Sequence, residues 1–167
     1  QSIIADDEET INFYYEPMES QGATTRHALY PKPGVLNIGT ATASPGRAHF
    51  FQDGREFAVI GSSVVEISDS IAPLETTISL ATITVRGTVA VDSNPATICS
   101  NGDGGDQLFI TSGGNGYYYN LTTNTLTSIA NLAGKATMGD HLDGYFLALD
   151  AATSTLYISD LLDGATW

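Results

Sequence analysis

One short, glycine-rich segment of the chain carries side chains able to bind a hard cation. Asn101, Asp103 and Asp106 are separated by glycines, and oxygen ligands spaced in this way can wrap a Ca²⁺ ion. The spacing matches neither an EF-hand nor a repeated Gly-Asp nonapeptide. A tight hairpin loop at 101–106 is therefore the favoured interpretation, and cation binding there is left open.

The histidines and the cysteine lack the spacing of a metal or nucleophile site. His27, His49 and His141 lie far apart in the sequence, unlike the close ligand pairs of zinc sites. His49 interrupts an apolar segment, which indicates a hydrogen-bonded packing residue. Cys99 is the only cysteine, so an intrachain disulfide is excluded, and its position beside Ile98 predicts a small buried side chain.

A carboxylate pair and a tyrosine run complete the candidate chemistry. Asp160 and Asp163 flank two leucines before Gly164, a pattern more typical of a turn than of a catalytic pair. The three tyrosines at 117–119 suit sugar stacking, but alternating aromatic residues are also ordinary packing material in strands. No nucleophile elbow, phosphate loop or zinc helix motif occurs. No enzyme activity, cofactor, metal site or catalytic residue is predicted, and no binding residue is assigned.

The charge of the chain argues against tight binding of nucleic acid. Nineteen acidic residues outweigh six basic ones, giving a net charge of -13. Phosphate contacts from a basic stripe supply most nucleic-acid affinity. Here the basic residues stand singly, as Arg26, Lys32, Arg47, Arg55, Arg86 and Lys135. No apolar run approaches the ~18 residues of a transmembrane helix, so no membrane span is predicted.

A strand–turn–strand sequence pattern that recurs three times predicts the fold. Its copies occupy 52–67, 104–119 and 142–159, each with a Gly/Asp turn, an apolar strand, a small polar turn and a second strand. Equivalent positions in successive copies are 51 and 38 residues apart, close to the roughly 40–50 residues of a propeller blade. Asp-Gly turns favour antiparallel hairpins, and no sustained helical stripe is present. The predicted fold is all-β: a partial β-propeller of about three blades of antiparallel hairpins, with an extended N-terminal segment.

Two regions are expected. Residues 1–47 form an extended segment with Pro/Gly turns, and residues 48–167 form the incomplete propeller. The segment 1–40 is expected to pack on another chain or on a late blade, burying Phe13, Tyr14, Tyr15 and Tyr30. Strands are expected at 35–38, 48–52, 56–60, 63–67, 76–80, 82–86, 88–91, 96–99, 107–111, 116–120, 125–129, 145–149 and 155–159.

An incomplete propeller leaves two sheet flanks open. Exposed apolar faces are then expected to lack partners within the chain. The side chains expected on these faces are Phe57, Val59, Phe109 and Phe146.

Several short sequence motifs occur in an order that resembles the tail-hub proteins of short-tailed bacteriophages. These are also called nozzle or packaged-DNA stabilisation proteins. The motifs lie at 11–17, 28–35, 46–47, 86–88, 141–146 and 156–167. The match covers nearly the whole chain but only the N-terminal part of the family pattern. The glycine-rich segment at 101–106 is longer than the usual turn of the family.

This resemblance implies a structural virion protein of the phage tail. A subunit of this kind extends the portal-adaptor channel, forms a homo-oligomeric ring (a hexamer), and contacts the portal-adaptor and the tail fibre or spike proteins. Packaged DNA is retained and passes through during ejection without tight binding. Two alternatives stay open: a β-rich surface module that contacts carbohydrate through exposed tyrosines, and, more weakly, a fragment of a propeller hydrolase.

Overall fold

The chain is all-β and divides into two compact units, 1–37 and 38–167. The computed structural model describes residues 39–41, 43–68 and 81–167 in full, and only the strand backbone of 13–17 and 27–31. The predicted strands at 35–38 and 76–80 lie outside the described residues. The division between the units falls ten residues before the boundary expected from the sequence.

The described residues of the first unit form an antiparallel hairpin. Its strands are β1 (Phe13–Pro17) and β2 (His27–Pro31), with Tyr14 opposite Tyr30. Pro17 ends β1, because proline has no N–H to donate to the ladder. The expected burial of the four aromatic side chains lies outside what the structure describes, since only the backbone of these strands is described.

Three antiparallel sheets follow in the second unit, and in each of them strands that are consecutive in the sequence pair with each other. Sheet 1 consists of β3 (Gly46–Gln52), β4 (Arg55–Ile60), β5 (Ser63–Ser68) and β6 (Thr82–Thr88). Sheet 2 consists of β7 (Thr97–Ser100), β8 (Gln107–Ser112), β9 (Asn115–Asn120) and β10 (Thr125–Ser128). Sheet 3 consists of β11 (Met138–Leu142), β12 (Tyr145–Asp150) and β13 (Thr155–Ile158).

The hairpin turns have the backbone geometry that their residues predict. Asp53-Gly54 joins β3 to β4 and Asp143-Gly144 joins β11 to β12, and all four residues have positive φ. Two-residue turns of this hand match the twist of antiparallel strands, and Gly and Asp tolerate the conformation best. One turn of 3-10 helix, Ala130–Leu132, leads from sheet 2 towards sheet 3.

Sheet 2 is covered by sheet 1 on one face and by sheet 3 on the other. Side chains alternate along β8, so Leu108 and Ile110 join Phe57 and Val59 in one apolar cluster. Phe109 points the opposite way and joins a second cluster that includes Phe146 of sheet 3. The core therefore consists of two seams, one on each side of sheet 2.

The expectation that four apolar side chains lack partners is wrong. Phe57, Val59, Phe109 and Phe146 are each 0% exposed. They face the interior of the stack: the rings of Phe109 and Phe146 lie 5.4 Å apart. Stacking within the chain covers both faces of sheet 2. The faces that lack a sheet against them are therefore the outer faces of sheets 1 and 3.

The three antiparallel sheets expected within 48–160 are confirmed, with two errors in the strands. The strand expected at 88–91 is wrong beyond Thr88, where the chain leaves sheet 1 and crosses to sheet 2. On the way, the amide of Ala90 donates to the hydroxyl of Tyr117 at 2.9 Å. Strand β11 was not expected, because Gly139, Asp140 and His141 are weak strand formers by themselves.

Candidate functional site

The loop considered for a cation is a tight turn organised by a buried asparagine. The carboxamide oxygen of Asn101 accepts a hydrogen bond from the amide of Gln107 at 3.1 Å. Asn101 is 3% exposed and packs beneath Gly105, where a Cβ would overlap its side chain. Asp103 and Asp106 point to solvent. The interpretation as a tight loop is confirmed, and no cluster of three or more potential metal ligands occurs among the described residues.

The two histidines whose side chains are described lie in solvent. His49 is exposed, with its Nε2 2.7 Å from a carboxylate oxygen of Glu56. It is hydrogen-bonded as predicted but not packed, since alternation along β3 places it on the outer face of sheet 1. His141 is exposed beside Asp140, at 3.5 Å. The side chain of His27 lies outside the described residues.

Cys99 and the Asp160/Asp163 pair serve the fold, as predicted. Cys99 is 5% exposed, and burial, with a contribution from Asp140, raises the pKa of its thiol to about 12. A thiol of this kind stays protonated and unreactive near neutral pH. The carboxylate of Asp163 accepts hydrogen bonds from the amide of Ala165 and the hydroxyl of Thr166. The turn at 160–163 is closed by the backbone, where the amide of Asp163 donates to the carbonyl of Asp160 at 3.3 Å.

The tyrosine run packs between sheets. Tyr119 is fully buried, lies edge-on to Phe57 with ring centroids 5.4 Å apart, and donates its hydroxyl to Asn124 at 2.9 Å. Burial raises the pKa of this hydroxyl. Tyr117 belongs to the same seam, and Tyr118 packs on the seam with sheet 3. The expectation of exposed tyrosines is therefore wrong for Tyr119, because alternation along β9 directs these rings into the two seams.

A charged cluster, here called the Arg55–Glu66 clamp, joins sheets 1 and 2. The guanidinium of Arg55 donates to both carboxylate oxygens of Glu66, at 2.8 and 2.9 Å. It also donates across the seam to the carbonyl of Leu121 and the side chain of Asn124, at 2.7 and 2.6 Å. Arg86 donates to the same carboxylate at 2.7 Å. The hydrogen bonds from Arg55 and Arg86 hold the pKa of Glu66 below its usual value.

Arg47 connects the start of sheet 1 with the β6–β7 connection. Its side chain is 1% exposed and lies 3.8 Å from the carboxylate of Asp92. It donates to the carbonyls of Asn94 and Gly61, at 2.8 and 2.9 Å. Nothing in the residue pattern around Arg47 signals this role, because its partners are backbone carbonyls that any residue supplies. Both arginines are thus bound to the chain itself.

The candidate functional site is the outer face of sheet 3, here called the open face. Pairing in sheet 3 places eight residues on this side: Met138, Asp140, Leu142, Tyr145, Leu147, Leu149, Leu156 and Ile158. Seven are large and apolar, and Asp140 is the only charged one. Leu142, Leu156 and Ile158 are 60%, 55% and 54% exposed. Scattered exposed leucines are ordinary, but a contiguous apolar face of this kind marks an interaction surface.

The open face also contains a groove. A groove of about 320 Å³ is lined by Leu142, Asp143, Tyr145, Leu147 and Ile158. Its walls are mainly apolar, so it suits an apolar side chain of a partner better than a polar ligand. The sequence carries a signal for this surface. Residues 145–149 form an unbroken apolar run, which is typical of a strand covered on both faces.

None of the family models, curated proteins or solved structures compared with the chain matches it. In the part of the chain that the structure describes, no helix is long and apolar enough to cross a membrane.

Proposed function

We propose that the chain is a structural subunit whose three sheets are consecutive blades of an incomplete β-propeller. The observation that carries this proposal is the stacking order. Sheet 2 contacts sheet 1 through one face and sheet 3 through the other, and the sheets follow one another along the chain. Propellers repeat this relation, with consecutively paired antiparallel strands in each blade.

The proposed setting is the tail hub of a short-tailed bacteriophage. The resemblance of the sequence motifs supports this assignment, and the stacked sheets and open face are compatible with it. In this role, copies of the chain form a ring, a hexamer by the resemblance, that extends the portal-adaptor channel. The ring contacts tail fibre or spike proteins, and packaged DNA passes through it.

The engagement of the arginines supports passage of DNA without tight binding. Arg47, Arg55 and Arg86 donate to carbonyls and carboxylates of the chain itself. A guanidinium engaged in this way gives up these hydrogen bonds if it turns to a phosphate. Together with the net charge of -13, this favours a channel wall that repels the DNA backbone. Fluorescence anisotropy with duplex DNA at physiological salt tests the point, and micromolar affinity with a steep salt slope would contradict it.

The packing of Tyr117 and Tyr119 makes the carbohydrate alternative the less favoured proposal. Tyr119 is fully buried, and the hydroxyl of Tyr117 accepts a hydrogen bond from the amide of Ala90. Neither ring is free to stack on a sugar without opening the seam between sheets 1 and 2. We therefore propose the structural role in preference to sugar binding.

Electron microscopy of virus particles tests the proposal. Gold-labelled antibodies raised against the chain are expected to mark the tail of particles that carry it. Particles assembled without the protein are expected to lose their DNA and the distal part of the tail. Label confined to the capsid shell, or particles that keep their DNA without the protein, would overturn the tail-hub assignment. A reconstruction in which the three sheets do not surround a common axis would overturn the propeller.

A further inference from the structure

We propose that the free edge of β13 binds an extended segment of a different protein, which adds a fourth strand to sheet 3. The partner segment is uncharged, and threonine alternates in it with aliphatic residues. Main-chain hydrogen bonds give this kind of contact its affinity, and the side chains of the added strand give it specificity. The site depends on the described sheets and not on the tail-hub assignment.

The third strands of sheets 1 and 2 are paired on both sides, but that of sheet 3 is not. Strand β5 lies between β4 and β6, and β9 lies between β8 and β10. Among the described residues, β13 pairs with β12 alone. After β13 the chain turns at 160–163, and Trp167 packs on Phe109. Within the described part of the chain, the second edge of β13 is therefore unpaired.

The backbone groups available at this edge belong to Leu156 and Ile158. The amide of Ser159 donates to the carbonyl of Phe146 at 3.0 Å, so Ser159 directs its backbone groups to β12. Neighbouring residues of a strand direct theirs to opposite sides. The N–H and C=O groups of Leu156 and Ile158 therefore point away from β12, and none of them has a hydrogen-bond partner among the described residues.

Strand β13 lacks the charges, prolines and bulges by which exposed edges avoid pairing. The last strand of sheet 1, β6, carries Arg86 and has a register shift against β5. The last strand of sheet 2, β10, is threonine or serine at all positions but one. Strand β13 reads Thr-Leu-Tyr-Ile and pairs without a shift. Leu156 and Ile158 are 55% and 54% exposed, so the residues with free backbone groups also present apolar side chains.

Strand β10 provides a contact surface beside this edge. On one side β10 is packed on β6, where a Cβ on Gly87 would lie 2.7 Å from Leu126. Thr125 and Thr127 point to the other side, towards sheet 3, because Thr127 pairs with Tyr118 of that seam. Both threonines are exposed. A strand added to β13 covers them as β6 covers Leu126, and it continues the row of outer strands.

The fourth strands of sheets 1 and 2 indicate the chemistry of the partner. Strand β6 contains Thr-Ile-Thr-Val at 82–85, and β10 contains Thr-Leu-Thr at 125–127. A strand of this pattern places threonines against one side and aliphatic side chains against the other, next to the exposed Ile158. A second copy is disfavoured as the donor, because two chains that each carry a net charge of -13 repel one another. The strand is therefore expected from a different protein.

NMR titration of the full, isotope-labelled chain with a synthetic peptide tests the site. The probe is Asn-Thr-Leu-Thr-Ser-Ile with blocked ends, which copies residues 124–129, and a scrambled peptide of the same composition is the control. Saturable shifts and slowed hydrogen exchange are expected for the amides of Leu156 and Ile158, because they gain carbonyl partners. Absence of saturation at about 1 mM probe overturns the proposal. So do equal binding of the scrambled peptide, and shifts confined to β9, whose own partner the probe copies.

Two N-methylated probes distinguish strand addition from apolar adsorption. In β10 itself, the amide of Ile129 donates to the carbonyl of Gly116 at 2.9 Å, so Thr125 and Thr127 also direct their N–H groups to the paired strand. Methylation at these two positions is expected to weaken binding by about 10-fold or more, because two ladder hydrogen bonds are lost. Methylation at the two alternate positions, those of Leu126 and Ser128, is expected to leave the affinity within about twofold. Equal weakening by the two methylation patterns overturns the proposal.

Ile158→Pro removes one edge-facing N–H and leaves the hydrogen bonds to β12 in place. Proline is tolerated in edge strands where the N–H faces solvent, and circular dichroism checks the fold. This variant is expected to bind the unmodified probe about 10-fold more weakly. Ile158→Thr is the matched control, because it keeps the N–H and suits a strand. Equal affinity of the proline and threonine variants for the probe overturns the assignment to the backbone edge.

Discussion

Strands β8 and β12 have similar sequences but different surroundings. In β8, alternate side chains enter opposite seams, and residues 108–112 are all buried. In β12, Phe146, Ala148 and Asp150 are buried while Tyr145 is 38% exposed. The difference teaches that an apolar run alone does not reveal how many of its faces the chain covers. The number of covered faces is a property of the stack, and it sets what each substitution costs.

The largest effect is expected for a residue of β8 inside the stack. Phe109→Ala is expected to lower the free energy of unfolding by about 3 to 5 kcal/mol, because the fully buried ring leaves a cavity between sheets 2 and 3. The ring contacts those of Phe146 and Trp167. Urea denaturation followed by circular dichroism measures the change. Tyr145→Ala, on the open face of β12, is the control and is expected to cost less than about 1 kcal/mol. Equal losses would mean that the open face is covered in solution.

The closeness of sheets 2 and 3 is tested by adding one methyl group. Gly139→Ala places a Cβ 2.6 Å from the ring of Phe109 and 2.8 Å from Cγ2 of Thr111. Overpacking of this kind is expected to cost about 1 to 3 kcal/mol of unfolding free energy. Gly46→Ala is the control, since its added Cβ meets nothing within 4 Å. If the two alanine variants unfold at the same urea concentration, the seam is looser than described.

The seam between sheets 1 and 2 differs in containing the Arg55–Glu66 clamp, and this predicts a pH dependence. Glu66→Gln is expected to cost about 1 to 2 kcal/mol near neutral pH, through loss of charge-assisted hydrogen bonds. In the folded chain, hydrogen bonds from Arg55 hold the pKa of Glu66 below its usual value of 4.5. The contribution of the carboxylate is therefore complete above about pH 4.5 and is lost as the pH falls through the lower folded pKa.

Unfolding free energies measured at about pH 7 and about pH 3 separate this contribution from the general effect of acid. The difference between the unmodified chain and Glu66→Gln is expected to shrink at the lower pH. Glu56→Gln is the control, because its exposed pair with His49 is expected to contribute less than about 0.5 kcal/mol. A difference between the unmodified chain and Glu66→Gln that does not change with pH would contradict the role given to Glu66.

The smallest effect is expected on the open face. Leu156→Thr changes a side chain that is 55% exposed, and threonine suits a strand. The free energy of unfolding is expected to change by no more than about 0.5 kcal/mol. Thermal melts at low and high protein concentration measure this. A loss comparable to that of Phe109→Ala would show that the face belongs to the core.

Hairpins were predictable where local residues determine the backbone. Asp53-Gly54 and Asp143-Gly144 adopt the positive φ values that their types favour, and the three sheets follow from such turns. Strand β11 was missed because its Gly139 and Asp140 are set in the sheet by pairing with β12, a tertiary effect. Open sheet flanks were expected, but the side chains of the open face were not the ones predicted to lie there. Which aromatic side chains lie inside depends on how the sheets stack, and this is not encoded in the alternation of any one strand.

Trp167 provides an intrinsic fluorescence probe of the contact between sheets 2 and 3. It is the only tryptophan of the chain, its ring lies 4.9 Å from that of Phe109, and its indole N–H donates to the carbonyl of Gly164. Intrinsic fluorescence excited at the indole band therefore originates beside sheets 2 and 3 and nowhere else. Opening of that seam would be visible in the unlabelled protein, separately from loss of strand structure in sheet 1.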